Sequence, residues 1–332
     1  MDLSTTYLGF DLPHPLMPGA SPLADELDMV KRLEDAGAAA IVLRSLFEEQ
    51  ITLDQLSTFH HIDAHGFSHQ EACSYAPDPH EFALGPDTYL EQVRRIKLAV
   101  RVPVIASLNG TSPGGWLHYA QLMEEAGADA IELNLYMLAT NPHDSAAALE
   151  DRAIETVRSV RSQVKIPLAV KLSPFYTSFA HVAHRLDDAG VGGMILFNRF
   201  YQPGIDVEEL EVRSELHLSD SSELPLRLRW LAILSGAVKA SLAVTGGVHT
   251  TLDVIQSVMA GAHAVQLVSA LLKRGPQLLA TIRGELATWL EEHEYESLRQ
   301  MQGSMSLRSC PDPQAYERAN YLHMLHSWKP AS

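Results

Sequence analysis

Short apolar runs alternate with amphipathic stretches along most of the 332-residue chain. Continuous apolar runs of this length are typical of parallel strands that are buried on both faces. There are eight, at residues 16–18, 40–43, 104–108, 130–133, 168–171, 194–197, 242–244 and 264–267. Between most of them apolar positions recur with helical period, at residues 25–33, 89–98, 116–125, 149–164, 179–186 and 252–259. This alternation predicts an α/β fold, a closed (β/α)8 TIM barrel, with an open sheet carrying extra strands as the alternative.

Four glycine motifs stand where predicted helices turn into strands. They are Asp35-Ala36-Gly37-Ala38, Glu125-Ala126-Gly127-Ala128-Asp129, Asp188-Ala189-Gly190-Val191 and Met259-Ala260-Gly261-Ala262. Each follows an amphipathic stretch and precedes an apolar run. Glycine commonly ends a helix because it adopts a positive φ without steric cost. The motifs therefore predict the helix-to-strand joints of a repeated βα fold.

Two long interruptions, at residues 47–86 and 199–226, follow predicted strand ends. Loops at that end of a barrel build active sites and lids, so we expect an elaborated top face. The first interruption carries His60, His61, His65 and His69, but no metal-ligand spacing of a recognised kind, and we expect no metal there. A helix is predicted from residue 276 to 290. We divide the chain into a barrel over 1–290 and a C-terminal tail over 291–332 that packs on the barrel or on a partner subunit.

Composition narrows the class of protein. Apolar residues make up 46% of the chain, enough for a large core, and the formal net charge is −16. An acidic chain lacks the clustered cations that nucleic-acid or anionic membrane surfaces require. The two cysteines, Cys73 and Cys310, are too few for a disulfide framework or an all-cysteine iron–sulfur cluster. Neither a signal peptide nor a run of the ~20 apolar residues of a membrane span is present, and we expect a cytoplasmic protein.

Polar residues follow the predicted strands at the end where this fold carries its chemistry. Lys171 is the most informative, because an unpaired cation at the end of an apolar strand is costly to bury. We expect it to face an anionic or electron-rich ligand, the alternative being an ion pair with Glu132 in the barrel mouth. The other strand-end residues are Ala20, Ser21, Arg44, Ser45, Asn109, Asn134, Asn198, Thr245, Gly246, Gly247 and Ser269.

Thr245-Gly246-Gly247 is the candidate phosphate site. Two adjacent glycines let the main chain approach an anion, and loop amides donate to it without a formal charge. The alternative is a tight strand-to-helix turn with no ligand. The sequence shows no catalytic Ser/His/Asp pattern, P-loop or Gly-x-Gly-x-x-Gly motif after a strand, which argues against classical hydrolases, NTPases and Rossmann dehydrogenases.

Taken together, these motifs resemble the dihydroorotate dehydrogenase family of FMN-dependent barrels over nearly the whole chain. The resemblance rests on Pro15-Leu16-Met17-Pro18-Gly19-Ala20-Ser21, Pro103-Val104-Ile105-Ala106-Ser107-Leu108-Asn109, Ala126-Gly127-Ala128-Asp129-Ala130-Ile131-Glu132-Leu133-Asn134, Pro167-Leu168-Ala169-Val170-Lys171-Leu172, Val244-Thr245-Gly246-Gly247-Val248 and Val265-Gln266-Leu267-Val268-Ser269-Ala270-Leu271. It implies a flavoprotein oxidoreductase of pyrimidine biosynthesis that binds FMN at the top of the barrel.

The resemblance also implies roles for individual residues. Gly246, Gly247 and Ser269, helped by Gly236, would hold the FMN phosphate. Lys171 would lie near the pyrimidine edge of the isoalloxazine, where a cation favours the anionic reduced flavin. The remaining implied FMN contacts are Ala20, Ser21, Arg44, Ser45, Asn109, Asn134, Asn198, Thr245 and Val268.

The chain departs from the family at the catalytic base. The family's Cys or Ser position is occupied by Met137, whose thioether cannot accept a proton, and the neighbouring Tyr136 has an ordinary pKa near 10. Arg44 stands where the family has a Lys, and the Asn-rich substrate motif is not visible at residues 72–77. The runs Phe197-Asn198-Arg199-Phe200-Tyr201 and Leu226-Arg227-Leu228-Arg229-Trp230 are interpreted as features of a dihydroorotate dehydrogenase-like branch.

The functional hypothesis is an FMN oxidoreductase acting on CH–CH donors, which transfers hydride between flavin N5 and a small planar acidic, dihydropyrimidine-like substrate. Lys171, Asn134, Met137 and Tyr136 are its candidate catalytic residues. One alternative is a flavin-binding, electron-transferring subunit without dihydroorotate activity. The other is a flavin-free phosphate-binding lyase or isomerase that uses Lys171. Expected partners are a small-molecule substrate, a second copy of the chain in a homodimer and an electron-acceptor protein, with neither nucleic acid nor membrane.

Overall fold

The computed structural model describes residues 1–47, 86–109, 113–135, 137–199, 202–213, 216–317 and 326. Its strands are β1 (Thr5–Tyr7), β2 (Phe10–Leu12), β3 (Leu16–Pro18), β4 (Ile41–Phe47), β5 (Val104–Asn109), β6 (Ala130–Asn134), β7 (Leu168–Leu172), β8 (Gly193–Leu196), β9 (Gly204–Asp206), β10 (Glu211–Arg213), β11 (Ser241–Thr245) and β12 (Ala264–Leu267). Its helices are α1 (Leu27–Asp35), α2 (Pro86–Ala99), α3 (Pro113–Glu125), α4 (Ala146–Gln163), α5 (Phe179–Asp188), α6 (Leu224–Leu234), α7 (Thr251–Ala260), α8 (Ser269–Arg274), α9 (Leu278–Glu292) and α10 (Leu298–Met301).

Eight strands form one parallel sheet in the order β3-β12-β11-β8-β7-β6-β5-β4. The two end strands meet where the Ala39 amide donates to the Leu16 carbonyl at 3.0 Å. Helices lie between successive strands along the chain. The predicted (β/α)8 TIM barrel is confirmed, and all eight predicted strands are present in it. All eight run in the same direction, so their carboxyl ends lie at one mouth of the barrel.

The four predicted helix-to-strand joints are also confirmed. Gly37, Gly127, Gly190 and Gly261 follow α1, α3, α5 and α7, with φ values of +90°, +97°, +86° and +121°. At each joint the chain reverses within a few residues because glycine tolerates this conformation.

A hairpin covers the opposite end of the barrel. Strands β1 and β2 pair antiparallel, and Tyr7, Leu8 and Leu12 are buried against the apolar interior formed by residues such as Met17 and Ile195. A Cβ on Gly193, the first residue of β8, would come within 2.7 Å of the Leu8 side chain. Apolar side chains therefore seal the amino-terminal end of the barrel, and the carboxyl-terminal mouth is left for polar residues.

The second predicted interruption, residues 199–226, has structure of its own. It contains the exposed hairpin of β9 and β10, and α6 begins inside it at Leu224. The first interruption falls largely on residues 48–85, so His60, His61, His65 and His69 lie outside the described residues. Within the described ranges, no group of three or more His, Cys, Asp or Glu residues could hold a metal ion. None of the helices described is both long and apolar enough to span a bilayer.

The segment after α9 lies against the outer helices. Leu298 and Met301 of α10 are buried in the main core cluster. The amides of Gly303 and Met305 donate to the carbonyls of Val258 and Met259 in α7. The division of the chain at residue 290 stays a prediction.

Candidate active site

A cavity of about 280 Å3 opens at the carboxyl-terminal mouth of the barrel. This volume is close to the lower end of the usual range for small-molecule sites, ~300–1,000 Å3. The residues that line it are Ala20, Ser21, Pro22, Lys171, Phe197, Asn198, Arg199, Leu216, Leu218, Ser219, Thr245, Gly246, Val248, Gln266, Val268, Ser269 and Leu272. Eight of the residues predicted from the sequence as cofactor contacts are therefore brought together here: Ala20, Ser21, Lys171, Asn198, Thr245, Gly246, Val268 and Ser269.

Two buried polar side chains, Lys171 and Gln266, line the cavity, and a third, Glu132, lies beneath them. The Lys171 ammonium lies 3.2 Å from Glu132 Oε1, and the Gln266 amide donates to Glu132 Oε2 at 2.6 Å. All three residues are 5% exposed or less. The ion pair that was the alternative for Lys171 is thus present. Lys171 and Gln266 nevertheless line the cavity, so a charged donor and an amide remain available to a ligand above them.

A hydroxyl and amide cluster lies beside Lys171. The hydroxyls of Ser45 and Ser107 are 2.8 Å apart, and the Asn134 amide donates to Ser45 Oγ at 3.4 Å. Asn134 pairs with Lys171 in the register of β6 and β7. The hydroxyl of Tyr89 bonds both the carbonyl and the amide of Ser107 from the outer side. Strands β4, β5 and β6 therefore add a second polar group to the mouth of the barrel.

The loop after β11 lies close to the first turn of α6. Gly246 and Gly247 have φ values of +77° and +79°. A Cβ on Gly246 would come within 2.7 Å of Arg227 Nη2, and one on Gly247 within 2.6 Å of the Leu224 amide nitrogen. Arg227 is held in place by bonds from Nε to the Thr245 carbonyl at 2.6 Å and from Nη1 to the Glu223 carbonyl at 2.7 Å. A side chain on Gly247 would clash with the backbone of α6, and one on Gly246 would displace the Arg227 guanidinium. Both positive φ values also favour glycine.

A further polar cluster lies next to this loop and was not anticipated from the sequence. The Gly247 amide donates to Ser219 Oγ at 3.4 Å, and the Ser219 amide donates to Ser269 Oγ at 3.1 Å. His249 Nε2 lies 3.2 Å from Ser219 Oγ, and the Lys273 ammonium donates to the Ser219 carbonyl at 3.0 Å. Burial, followed by the charge of Lys273, lowers the pKa of His249. Amides, hydroxyls and a cation thus converge beside the predicted phosphate site.

Some buried polar atoms at the mouth of the barrel have no hydrogen-bond partner within the protein. In the described part of the chain, the buried atoms Ser21 Oγ, Asn134 Oδ1 and Gln266 Oε1 have no hydrogen-bond partner. Buried polar groups are rarely left unpaired, because each costs ~1–3 kcal/mol. Ser21 and Gln266 line the cavity, and Asn134, which is not among the lining residues, pairs with Lys171 in the register of β6 and β7. Three unpaired groups in one mouth fit a ligand that carries both donors and acceptors.

Four predicted site residues lie elsewhere. Gly236 stands between α6 and β11, at the amino-terminal end of the barrel, where a Cβ would meet Arg308 Nη1 at 3.2 Å; this position is incompatible with a phosphate contact at the strand ends. Arg44 is paired with Asp25 at 2.8 Å and does not line the cavity. Asn109 ends β5 in register with Asn134, outside the cavity lining. Met137 is 36% exposed and also outside it. Tyr136 lies outside the described residues.

A second cavity, of about 340 Å3, adjoins the first and shares Phe197, Asn198 and Arg199 with it. Arg199 forms an ion pair with Glu223 at 3.1 Å. The other residues that line this second cavity are Pro174, Phe175, Gln202, Ser222, Glu223, Leu226 and Arg227. An aromatic and guanidinium-lined space therefore lies directly beside the cavity that holds Lys171.

The family model described as "Dihydroorotate dehydrogenase" matches residues 83–290. The chain belongs to the dihydroorotate dehydrogenase family. The matched segment runs from α2 through α9, and it contains Lys171, Glu132, Gln266 and the loop after β11. Proteins of this family are flavoproteins, and this member is a dihydroorotate dehydrogenase-like oxidoreductase.

Curated relatives extend this likeness over most of the chain. The chain is 28% identical over 317 residues to "Dihydroorotate dehydrogenase B (NAD(+)), catalytic subunit" of Thermoplasma volcanium, covering 91% of this chain and 98% of the relative. The protein of the same name in Thermoplasma acidophilum is 26% identical over 315 residues, with the same coverage of both chains. That of a Geobacter species is 29% identical over 237 residues, covering 68% of this chain and 75% of the relative.

Proposed function

We propose that the chain binds FMN at the carboxyl-terminal mouth of its barrel and uses it to oxidise or reduce a small planar, acidic, dihydropyrimidine-like substrate. The observation that carries the proposal is the unpaired set of Ser21, Asn134 and Gln266 around the charged Lys171. An isoalloxazine edge presents alternating acceptors and donors, and it would satisfy these groups together. The flavin would supply hydride transfer at N5.

The loop after β11 is suited to the phosphate of FMN. Gly246 and Gly247 would allow the main chain to approach the anion, and Ser269 would donate its hydroxyl. Ser219, His249 and Lys273 stand beside these residues and would complete the anion site. Gly236 is left out of this proposal because it lies at the other end of the barrel.

At the other end of the cavity, Lys171 would donate to the pyrimidine edge of the isoalloxazine. Its ammonium is already desolvated and held by Glu132, so little further cost is incurred when it contacts a ligand. Ala20, Ser21, Ser45 and Asn134 would line the ring system, and Thr245, Asn198 and Val268 the remainder of the cavity. Arg44 would act indirectly, by fixing β4 to Asp25.

The substrate would occupy the adjoining cavity that contains Arg199 and Phe197. An arginine suits a carboxylate because it can donate two parallel hydrogen bonds, and Arg199 would exchange part of its contact with Glu223 for such a group. Met137 cannot accept a proton from the substrate, so this branch would act on a substrate that needs no base at that position, or would use another group.

A second candidate function is favoured by Met137 itself. A flavin-binding subunit that passes electrons without oxidising dihydroorotate would retain the FMN site and need no base. Both functions predict a yellow protein, and they differ in which donor reduces it. Some relatives are named as the catalytic subunit of an NAD(+)-linked enzyme. An electron-carrier protein is therefore included among the reductants to be tested.

Anaerobic reduction of the FMN-loaded protein tests these proposals. The loaded protein is mixed rapidly with dihydroorotate, dihydrouracil, other small dicarboxylic or cyclic acids, NAD(P)H, or a reduced electron-carrier protein, and flavin absorbance is followed. Fast bleaching by an acidic dihydropyrimidine is expected, with Lys171→Met slowing it. Bleaching only by an electron-carrier protein would favour the second function. Protein that does not bind FMN would contradict both functions. In that case, borohydride trapping of a carbonyl substrate on Lys171 would indicate a lyase or isomerase.

A further inference from the structure

Three polar side chains lie inside an otherwise apolar barrel and come from three separate strands. Glu132 is in β6, Lys171 in β7 and Gln266 in β12. Glu132 and Gln266 are fully buried, and Lys171 is 5% exposed. Lys171 and Gln266 line the cavity at the mouth, but Glu132 does not. Glu132 therefore lies beneath the two residues that face a ligand.

Glu132 is bonded on both of its oxygens. Oε1 receives the Lys171 ammonium at 3.2 Å, and Oε2 accepts from the Gln266 amide at 2.6 Å. A carboxylate that is fully buried in an otherwise apolar barrel requires such partners, since an isolated buried charge is strongly unfavourable. The same contacts fix the rotamers of Lys171 and Gln266. They also leave Gln266 Oε1 unpaired at the cavity.

The negative charge of Glu132 also acts on the neighbouring Tyr7 hydroxyl. Burial, and after it the charge of Glu132, raises the pKa of Tyr7, whose hydroxyl lies deeper in the barrel. Charges in such a medium interact strongly because little water screens them. Any electron-accepting group above Lys171 would therefore experience the ammonium and the carboxylate together, and not the ammonium alone.

We propose that Glu132 is a positioning residue that orients Lys171 and lowers the reduction potential of the flavin by offsetting the ammonium charge. The inference rests on the proposed FMN site. Two-electron reduction places negative charge on the pyrimidine side of a flavin, which a neighbouring cation stabilises and a neighbouring anion destabilises. Without the carboxylate, the Lys171 ammonium would have no anionic partner while the flavin is oxidised. It would gain one, the negative charge of the flavin, on reduction. Loss of the carboxylate therefore favours the reduced flavin and raises the reduction potential.

The test is the midpoint potential of FMN-loaded wild-type protein and of Glu132→Gln, measured by equilibration with a reference dye. Glutamine preserves the size of the side chain and an acceptor for Lys171. We expect the variant to favour reduced flavin by at least tenfold, a rise of about 30 mV for a two-electron couple. Asp129→Asn is the matched control, because Asp129 directly precedes the same strand and is ion-paired with Lys97 at 2.6 Å, outside the cavity. Its potential should equal that of the wild type.

An unchanged or lower potential in FMN-loaded Glu132→Gln would overturn the proposal, while leaving the proposed FMN site standing. Wild-type protein that binds no FMN would overturn both. If Glu132→Gln does not fold, Lys171→Gln is compared with the Glu132→Gln/Lys171→Gln double variant, in which no buried cation is left unpaired. The double variant should then have the higher potential, and equal potentials would refute the role of Glu132.

Discussion

Replacing Gly247 by alanine tests whether the loop after β11 is built for close approach of the main chain. Gly247 has a φ of +79°, and an alanine Cβ would lie 2.6 Å from the nitrogen and 2.9 Å from the Cα of Leu224. Both atoms belong to the backbone at the start of α6, so no side chain can move aside. Gly9, in the β1–β2 turn, has a φ of +83° and nothing within 4 Å of its Cβ position. It is a control with nearly the same φ and no clash.

The expected effects follow from these contacts. A left-handed φ costs an alanine ~1–2 kcal/mol, and this cost applies to both Gly9→Ala and Gly247→Ala. Overpacking against Leu224 adds ~1–3 kcal/mol in Gly247→Ala alone. We therefore expect a loss of about 1–2 kcal/mol in Gly9→Ala and about 2–5 kcal/mol in Gly247→Ala.

Urea unfolding followed by tryptophan fluorescence measures both losses from the shift in the midpoint. FMN affinity is then determined without urea, from the quenching of FMN fluorescence on binding, at a temperature where both variants are folded. Gly9→Ala should bind FMN as the wild type does, and Gly247→Ala should bind it at least tenfold more weakly, because α6 and the loop amides have moved. Equal stability and equal FMN affinity in the two variants would show that close packing of this loop on α6 is not required.

Three further predictions concern buried polar groups. Arg227→Met should lower the free energy of unfolding by about 2–5 kcal/mol, because it removes the guanidinium hydrogen bonds to the carbonyls of Thr245 and Glu223; a loss below 1 kcal/mol in urea unfolding would contradict this. Lys171→Met should destabilise by about 3–5 kcal/mol and Lys171→Met/Glu132→Met by clearly less, since the double variant leaves no unpaired buried carboxylate; a double variant that is less stable than the single one would count against the pair. Burial, followed by the charge of Arg283, lowers the pKa of His14 to about 4. Unfolded protein therefore takes up the proton first, and the stability that neutral His14 contributes above its ordinary pKa is lost as pH falls from about 6.5 to 4, up to ~3 kcal/mol. His14→Gln should reduce the loss of stability between these pH values, and an unchanged pH profile would contradict the assignment.

The barrel could be predicted because its signals are local. Strands buried on both faces are apolar throughout, and a glycine such as Gly37 ends a helix wherever a positive φ is needed. Helix α6 was not predicted, because Leu226-Arg227-Leu228-Arg229-Trp230 alternates like a strand. The structure explains this pattern, because Arg227 is buried and its guanidinium donates to backbone carbonyls. A charged residue thus stands at a core-facing position where the helical pattern calls for an apolar one.

Within the candidate site, single strand-end residues could be predicted but their partners could not. Gly236 illustrates the limit, since the family resemblance implied a phosphate contact for it, and it lies between α6 and β11 at the opposite end of the barrel. Ser219 reaches the site from a long loop, without any local signal. Gln266 did leave a signal, as the one polar residue within the apolar run of β12. Its contact with Glu132, 134 residues away in sequence, is set by the closure of the sheet.

A spectroscopic titration of the apoprotein with FMN tests whether the mouth of the barrel binds this cofactor. We expect one FMN to bind per chain at micromolar or lower concentration, with a structured flavin band near 450 nm. Riboflavin, which lacks the phosphate expected at Gly246 and Gly247, should bind at least tenfold more weakly. Folded protein that leaves the FMN spectrum unchanged at a tenfold molar excess of chain would show that the mouth of the barrel is not an FMN site.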